Sequence, residues 1–283
     1  MKIIECPRDA MQGLDSFIPT ELKAQYINLL LQVGFDTIDF GSFVSPKAIP
    51  QLKDTSEVLS KLDLSNTKSK LLGIVANTRG ARDAAQYSEI SYLGFPLSLS
   101  ETFQQRNTNR SIEEAFETVK EIQNICKQSD KVLVTYISMG FGNPYGDPYE
   151  MSLVSEFISR LNEFDIEIIS LADTIGASNP QNISALFSTV IKEFEHIEFG
   201  VHLHSDLDTS TSKIDAAYKA GCRRFDGALN GFGGCPMADD TLVGNIATET
   251  ILRYMDLYKL DLKIDQTALN NAINMAPQVF LGR

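Results

Sequence analysis

The chain has 283 residues, 43% of them hydrophobic and 22% charged, enough apolar material to bury the core of one large domain or two small ones. Its net charge of −12 repels phosphate backbones and anionic lipid, which argues against nucleic-acid and membrane-surface partners; a locally basic pocket for an anionic small molecule stays open. The opening MKIIECPRDA lacks a charged-then-apolar leader and no apolar run approaches the roughly 18 residues of a membrane span, so a cytoplasmic protein is expected.

In chain order, short β-rich apolar segments occur at KIIEC, DTIDFG, KLLGIVAN, ISYLGF, VLVTYIS, IEIISLAD, EFGVHLH and RRFDGAL, separated by longer stretches with helical periodicity. PTELKAQYINLLLQVG carries proline and threonine at its start and glycine at its end; SIEEAFETVKEIQNICKQ opens on a Ser-x-x-Glu capping box. Eight such alternations require a parallel sheet with helical crossovers, and in about 250 residues they predict a (β/α)8 TIM barrel. The expected organisation is one catalytic domain over 1–283, with 259–283 as a C-terminal helical extension. A doubly wound open sheet is the alternative, but no GxGxxG follows the first strand, so a dinucleotide site lacks support.

In a barrel of this kind the chemistry gathers where strands end. The first strand runs into ECPRDAMQG (Glu5, Arg8, Asp9, Gln12), the second into IDFGSFVSPK (Asp39, Ser42, Lys47) and the sixth into SLADTIG (Asp173). The seventh ends on His202 and His204, and the eighth leads into LNGFGGCPMADDTLVGN with Cys235 and Asn245. Residues i and i+2 of a strand share a face, so both histidines can aim into the mouth and bind one ion, with Asp9 able to add an oxygen; equally, a bare HxH pair can be two core histidines with satisfied polar contacts. Imidazole and oxygen donors without thiolate suit Mg²⁺ or Mn²⁺, with Zn²⁺ admissible.

Arg8 beside Asp9 reads either as an ion pair or as an anion-binding group, and Asp173 either as a helix cap or as a site residue. GFGGCP reads as a plain connection or as a mobile flap carrying a thiol. Arg223 and Arg224 either flank a strand or meet substrate phosphates, and His196 is expected on the surface. The four cysteines, Cys6, Cys126, Cys222 and Cys235, contain no CxxC pair and indicate neither a disulfide framework nor a zinc ribbon.

Together ECPRDAMQG, SFVSPKAIPQ, SLADTIG, VHLHSD and GFGGCPMADDTLVGNIATE resemble, in that order and over nearly the whole chain, the 3-hydroxy-3-methylglutaryl-CoA lyases, which belong to the metal-dependent lyase and aldolase barrels. The resemblance implies metal ligation by Asp9, His202, His204 and Asn245, Arg8 on the thioester, and Cys235 on a loop that closes over an acyl-CoA substrate. It implies catalytic roles for Arg8, Asp9, Asp39, His202 and Cys235, and substrate contacts for Gln12, Ser42 and Asp173. Asp39 stands one methylene short of the glutamate of the lyase pattern. A homodimer is admitted. The implied reaction cleaves 3-hydroxy-3-methylglutaryl-CoA to acetoacetate and acetyl-CoA; a related aldolase or acyl-CoA synthase acting on 2-keto acids, and a non-catalytic acyl-CoA-binding barrel, are the competing readings.

Overall fold

The computed structural model describes residues 1–233, 244–260 and 262–282. Eight strands, β1 (Lys2–Glu5), β2 (Thr37–Ser42), β3 (Lys70–Ile74), β4 (Ile90–Ser98), β5 (Val132–Ser138), β6 (Ile168–Asp173), β7 (Glu198–Leu203) and β8 (Arg224–Gly227), pair in parallel and in sequence order. β8 returns to β1 with Lys2 opposite Arg224 and Glu5 opposite Gly227, closing the barrel. The expected (β/α)8 architecture is therefore the one observed.

The helices are α1 (Pro7–Gln12), α2 (Thr20–Val33), α3 (Thr55–Leu59), α4 (Thr78–Ala85), α5 (Glu101–Thr108) and α6 (Ile112–Gln128), then α7 (Met151–Asn162), α8 (Pro180–Glu193), α9 (Leu207–Lys219), α10 (Thr248–Leu257) and α11 (Gln266–Leu281). Local chemistry sets their starts. The Ser111 side chain accepts from Glu114 N–H at the head of α6 while the Glu114 carboxylate accepts from Ser111 N–H, the capping box legible in the sequence. Asn77, Ser100, Asn179, Asp206 and Asp265 cap α4, α5, α8, α9 and α11 by accepting first-turn N–H groups, and Asn179 is answered in turn by the Asn182 side chain.

Period-2 alternation sorts the strand residues into two cores. Outward residues such as Phe199, Val201 and Leu203 of β7 pack with the inner faces of the helices. Inside the barrel, Leu72, Ile74, Tyr92, Val134, Tyr136 and Ile168 form a separate apolar cluster contributed by β3 to β6. The opposite side of the interior is polar. Arg224 and Asp226 of β8, His202 of β7 and Asp39 of β2 are each less than 9% exposed. Gly200 leaves room on this side: a Cβ there would lie 3.0 Å from Arg224 Cδ, a tight approach that would press on the arginine's stem.

α11 lies against α2, with the Phe280 ring edge-on to Tyr26 at 5.5 Å and stacked at 4.7 Å on Phe232, the residue that leads from β8 into the glycine-rich segment. Asp265 N–H donates to Val33 O, fastening the start of α11 to the end of α2. Among the described residues, no helix is long and apolar enough to cross a membrane.

Glu5 clamps the closing seam. Its Oε1 accepts from Leu229 N–H at 2.8 Å and its Oε2 from Thr248 Oγ1 at 2.5 Å, joining the end of β1 to the segment after β8 and to α10. Complete burial pushes its carboxyl up to about 8, against the opposing pull of those two hydrogen bonds. A carboxyl whose folded-state value lies above its unfolded value, about 4.3, loses its contribution to stability as pH rises from the lower value to the higher. Denaturant titrations from pH 5 to 9 should therefore show wild type losing ground to Glu5→Gln by up to about 1.4 kcal/mol per pH unit until about pH 8 and by nothing further above it. Parallel curves would mean that Glu5 titrates normally.

Candidate active site

The exits of β1, β2, β7 and β8 meet at one mouth of the barrel. α1 begins directly after β1, with Pro7 at its first position, where a missing N–H costs nothing and the fixed φ is already helical. The helical repeat then brings Arg8 and Gln12 onto one face. Arg8 Nε donates to Asp39 Oδ2 at 2.9 Å and Nη2 to the same oxygen at 2.5 Å, a fork on a carboxylate contributed by β2. Nη1 donates to Asp9 Oδ1 at 3.0 Å and to Gln12 Oε1 at 2.8 Å. Burial alone would weaken the guanidinium's hold on its proton, but the charges of Asp39 and Asp9 outweigh it and keep Arg8 cationic. Burial also pushes the Asp39 carboxyl up to about 6 against the pull of Arg8, so at neutral pH the pair is ionised.

Asp9 sits between this pair and the histidines. Burial raises its carboxyl, but Arg8, the two imidazoles and the Asn245 amide outweigh burial and hold it well below the usual carboxylate range. Its Oδ2 accepts from Asn245 Nδ2 at 2.8 Å and lies 4.0 Å from His202 Nε2. Asp9, His202 and His204 each bring one ligating atom into a group whose members all lie within 4.8 Å of one another. Asn245 is laid beside β7 by an antiparallel bridge to His204, with Ser205 N–H donating to Gly244 O and Ile246 N–H to Leu203 O. Gly233, at φ +99°, approaches so closely that a Cβ there would lie 2.7 Å from Asn245 Nδ2 and 2.9 Å from Ala10 Cα.

A cavity of about 530 Å³ opens over this group, lined by Arg8, Asp9, Gln12, Asp39 and His202, with apolar walls that include Leu14, Val44, Ile49 and Phe103. Two of the residues expected to touch substrate have other work. Both oxygens of Asp173, which is 1% exposed, are taken by backbone N–H groups of Ile175, Ala177 and Ser178, so Asp173 shapes the turn after β6. Ser42 Oγ accepts from Val44 N–H and faces Ile74 O; neither it nor Asp173 lines the cavity. Cys235 lies outside the described residues.

Neither Arg223 nor Arg224 lines the cavity. They stand at the N-terminal end of β8, away from the mouth; Arg223 donates to Tyr218 O and Cys222 O, and Arg224 is fully buried inside the barrel. His196 is exposed and shares a 2.6 Å hydrogen bond with Asn162. Cys6, Cys126 and Cys222 are free and buried. Two residues of the site escaped the sequence reading. Tyr136 lines the cavity with its ring edge-on to His202, and Asp226 Oδ2 lies 3.2 Å from His202 Nδ1. The alternation of RRFDG was the available signal for Asp226, but only with the strand's register known.

The profile of HMGL-like proteins matches residues 2–276. The chain belongs to the HMGL-like family. Among its relatives, the hydroxymethylglutaryl-CoA lyase of Bacillus subtilis is 34% identical over 91% of this chain and 84% of its own. The cytoplasmic 3-hydroxy-3-methylglutaryl-CoA lyase of Homo sapiens is 32% identical over 97% of this chain and 71% of its own. An HMG-CoA lyase of Acinetobacter baumannii, solved with coenzyme A and 3-methylmalate, superposes with a TM-score of 0.91 at 30% identity, covering 99% of this chain and 91% of that one.

The donor set fits the divalent cation on which this family's chemistry depends. A carboxylate held ionised and two imidazoles converge from three directions, and the cavity supplies the approach. The neighbouring trio of Cys6, His202 and Asp226 is a poor competitor. Burial pushes the Cys6 thiol up, leaving it protonated, and its Sγ lies 3.6 Å from Ile4 O as a donor. Chelator-stripped wild type should bind Mn²⁺ in a calorimetric titration, and His204→Ala should weaken that binding by more than the roughly 10–100-fold typical of losing an outer hydrogen-bond partner. Unchanged affinity in the variant would remove His204 from the ligand set.

Proposed function

We propose that this chain is a divalent-metal-dependent 3-hydroxy-3-methylglutaryl-CoA lyase that releases acetoacetate and acetyl-CoA. What carries the reading is the meeting of Arg8, Asp9 and His202 at one wall of a cavity in an HMGL-like chain, with the buried His204 grouped beside Asp9 and His202, where an oxygen-binding metal and an anion-stabilising guanidinium would stand side by side. The printed activities of the relatives and the coenzyme A in the neighbouring structure support an acyl-CoA substrate. Mg²⁺ or Mn²⁺ is the expected ion, since hard oxygen donors and imidazole without thiolate favour them. The cytoplasmic relatives support the same compartment here.

Asp9, His202 and His204 would hold the ion, with Asn245 offering its amide oxygen if the side chain turns over from the orientation in which its Nδ2 donates to Asp9. Bound there, the cation supplies a Lewis acid to the substrate's 3-hydroxyl. Loss of that hydroxyl's proton lets the C2–C3 bond break, and the electron pair passes to the thioester carbonyl as an enolate. Arg8 faces the cavity in a fixed orientation and donates to that oxygen, a contact stronger in the transition state than in the substrate. Asp39 and Gln12 prevent the guanidinium from reorienting, so little rearrangement is needed as charge develops. The apolar walls give the acyl chain surface to pack against beside the reacting groups. Cys235 is the proposed proton donor to carbon.

Incubation of the purified protein with 3-hydroxy-3-methylglutaryl-CoA and Mg²⁺ or Mn²⁺ should yield acetoacetate and acetyl-CoA in equal amounts, and a chelator should abolish both. Turnover only of 2-keto acids, or none, would overturn the assignment. Arg8→Lys, which keeps the charge but loses the planar fork on Asp39, should depress kcat far more than it raises KM, whereas equal effects would mark Arg8 as a simple binding group.

A further inference from the structure

The two nitrogens of His202 face different surroundings. Nε2 looks toward Asp9, 4.0 Å away at the cavity wall. Nδ1 looks into the barrel, 3.2 Å from Asp226 Oδ2. Asp226 is 3% exposed and does not line the cavity, so it touches neither solvent nor substrate.

We propose that Asp226 is a positioning residue: by accepting the Nδ1 proton of His202 it fixes the imidazole's tautomer and ring angle, and so keeps the Nε2 lone pair turned toward Asp9 and His204. The inference rests on the reading of Asp9, His202 and His204 as metal ligands.

Three observations support it. First, a neutral imidazole carries one proton, and a carboxylate can only accept; a carboxylate at Nδ1 therefore selects the form in which Nε2 is bare. Second, the buried carboxylate has a counter-charge. Arg224 stands two residues earlier on the same inward face of β8, with no hydrogen-bond partner for its three nitrogens among the described residues. Its nearest carboxylate contacts are Glu198 at 3.5 Å and Asp36 at 4.0 Å. An arginine so placed serves as a field source for Asp226 above it, and the space for its side chain is reserved by Gly200 on the neighbouring strand. Third, Asp226 is poorly suited to be a ligand itself, because the guanidinium would repel a cation drawn deeper into the barrel and the adjacent Cys6 thiol is a donor to Ile4 O. An aspartate without contact to substrate thus bears on the reaction through the orientation of one ligand.

The test uses chelator-stripped full-length protein and Mn²⁺ alone. Asp226→Asn should keep the wild-type melting temperature to within a few degrees, yet bind Mn²⁺ about 10–100-fold more weakly, because a neutral amide oxygen holds the Nδ1 proton less firmly than a carboxylate and the NH₂ end, turned to Nδ1, would favour the other tautomer. Asp226→Glu, which restores the acceptor, should recover part of the loss. Wild-type affinity in Asp226→Asn would overturn the proposal. Should wild type itself bind no Mn²⁺, the ligand reading falls and this inference with it, whereas binding by wild type and variant alike removes only the role of Asp226. Should the variants not fold, the wild type decides: with three histidines in the chain, ¹⁵N-labelled His202 can be read directly in the Mg²⁺-loaded protein. A protonated Nδ1 supports the proposal and a protonated Nε2 overturns it.

Discussion

The Arg8 guanidinium is the contact on which the mouth of this barrel depends. Asp9 and Asp39 are carboxylates bound to opposite sides of one guanidinium, and like charges so close are kept ionised by the cation between them. Arg8 supplies it with a planar array that reaches both at once, which a lysine's point charge does not do. Asp9, partly exposed at the wall of the cavity, gives one oxygen to Arg8 and turns the other toward Asn245 and His202. Two imidazoles are already turned toward it. A carboxylate held ionised beside two imidazoles is a donor set that suits a small cation.

The interior is divided to suit. The apolar cluster on β3 to β6 fills one side as a packed core, while β7, β8, β1 and β2 bring the ionisable groups. Glycine at 200 and aspartate at 226 do for the polar side what large aliphatic residues do for the other: they set the shape. Buried charge is expensive, and here it is tolerated because each group has an opposite charge or a hydrogen bond directed at it.

The architecture was legible in the sequence because it rests on repetition. Eight apolar segments separated by amphipathic ones admit few arrangements, and the Ser111–Glu114 capping box is a purely local signal. Arg8, Asp9, His202 and His204 were legible because position at a strand exit and i, i+2 spacing carry direction as well as chemistry. Asp173 and Ser42 show the limit: a polar side chain at a strand exit can turn to the backbone of its own loop, and nothing in the residue type says which it will do. RRFDG shows another. In a strand of four residues, a register shift of one would have put Arg223 inside the barrel and Arg224 outside, with Asp226 turned away from His202. That choice is fixed in the pairing of β8 with β1 and β7, where Arg224 lies opposite Lys2 and Gly200.

The stacking of Phe280 on Phe232 ties distant parts of the molecule together. Phe232 is the stem of the glycine-rich segment, its carbonyl accepts from Asn245, and Phe280 also braces Tyr26 on α2. α11 thus braces Phe232, the last aromatic before the glycine-rich stretch, with rings belonging to the outer helical layer and outside the cavity lining. Mutational drift in that layer can consequently shift Phe232, and through its carbonyl the Asn245 amide that reaches Asp9, without touching one cavity-lining residue.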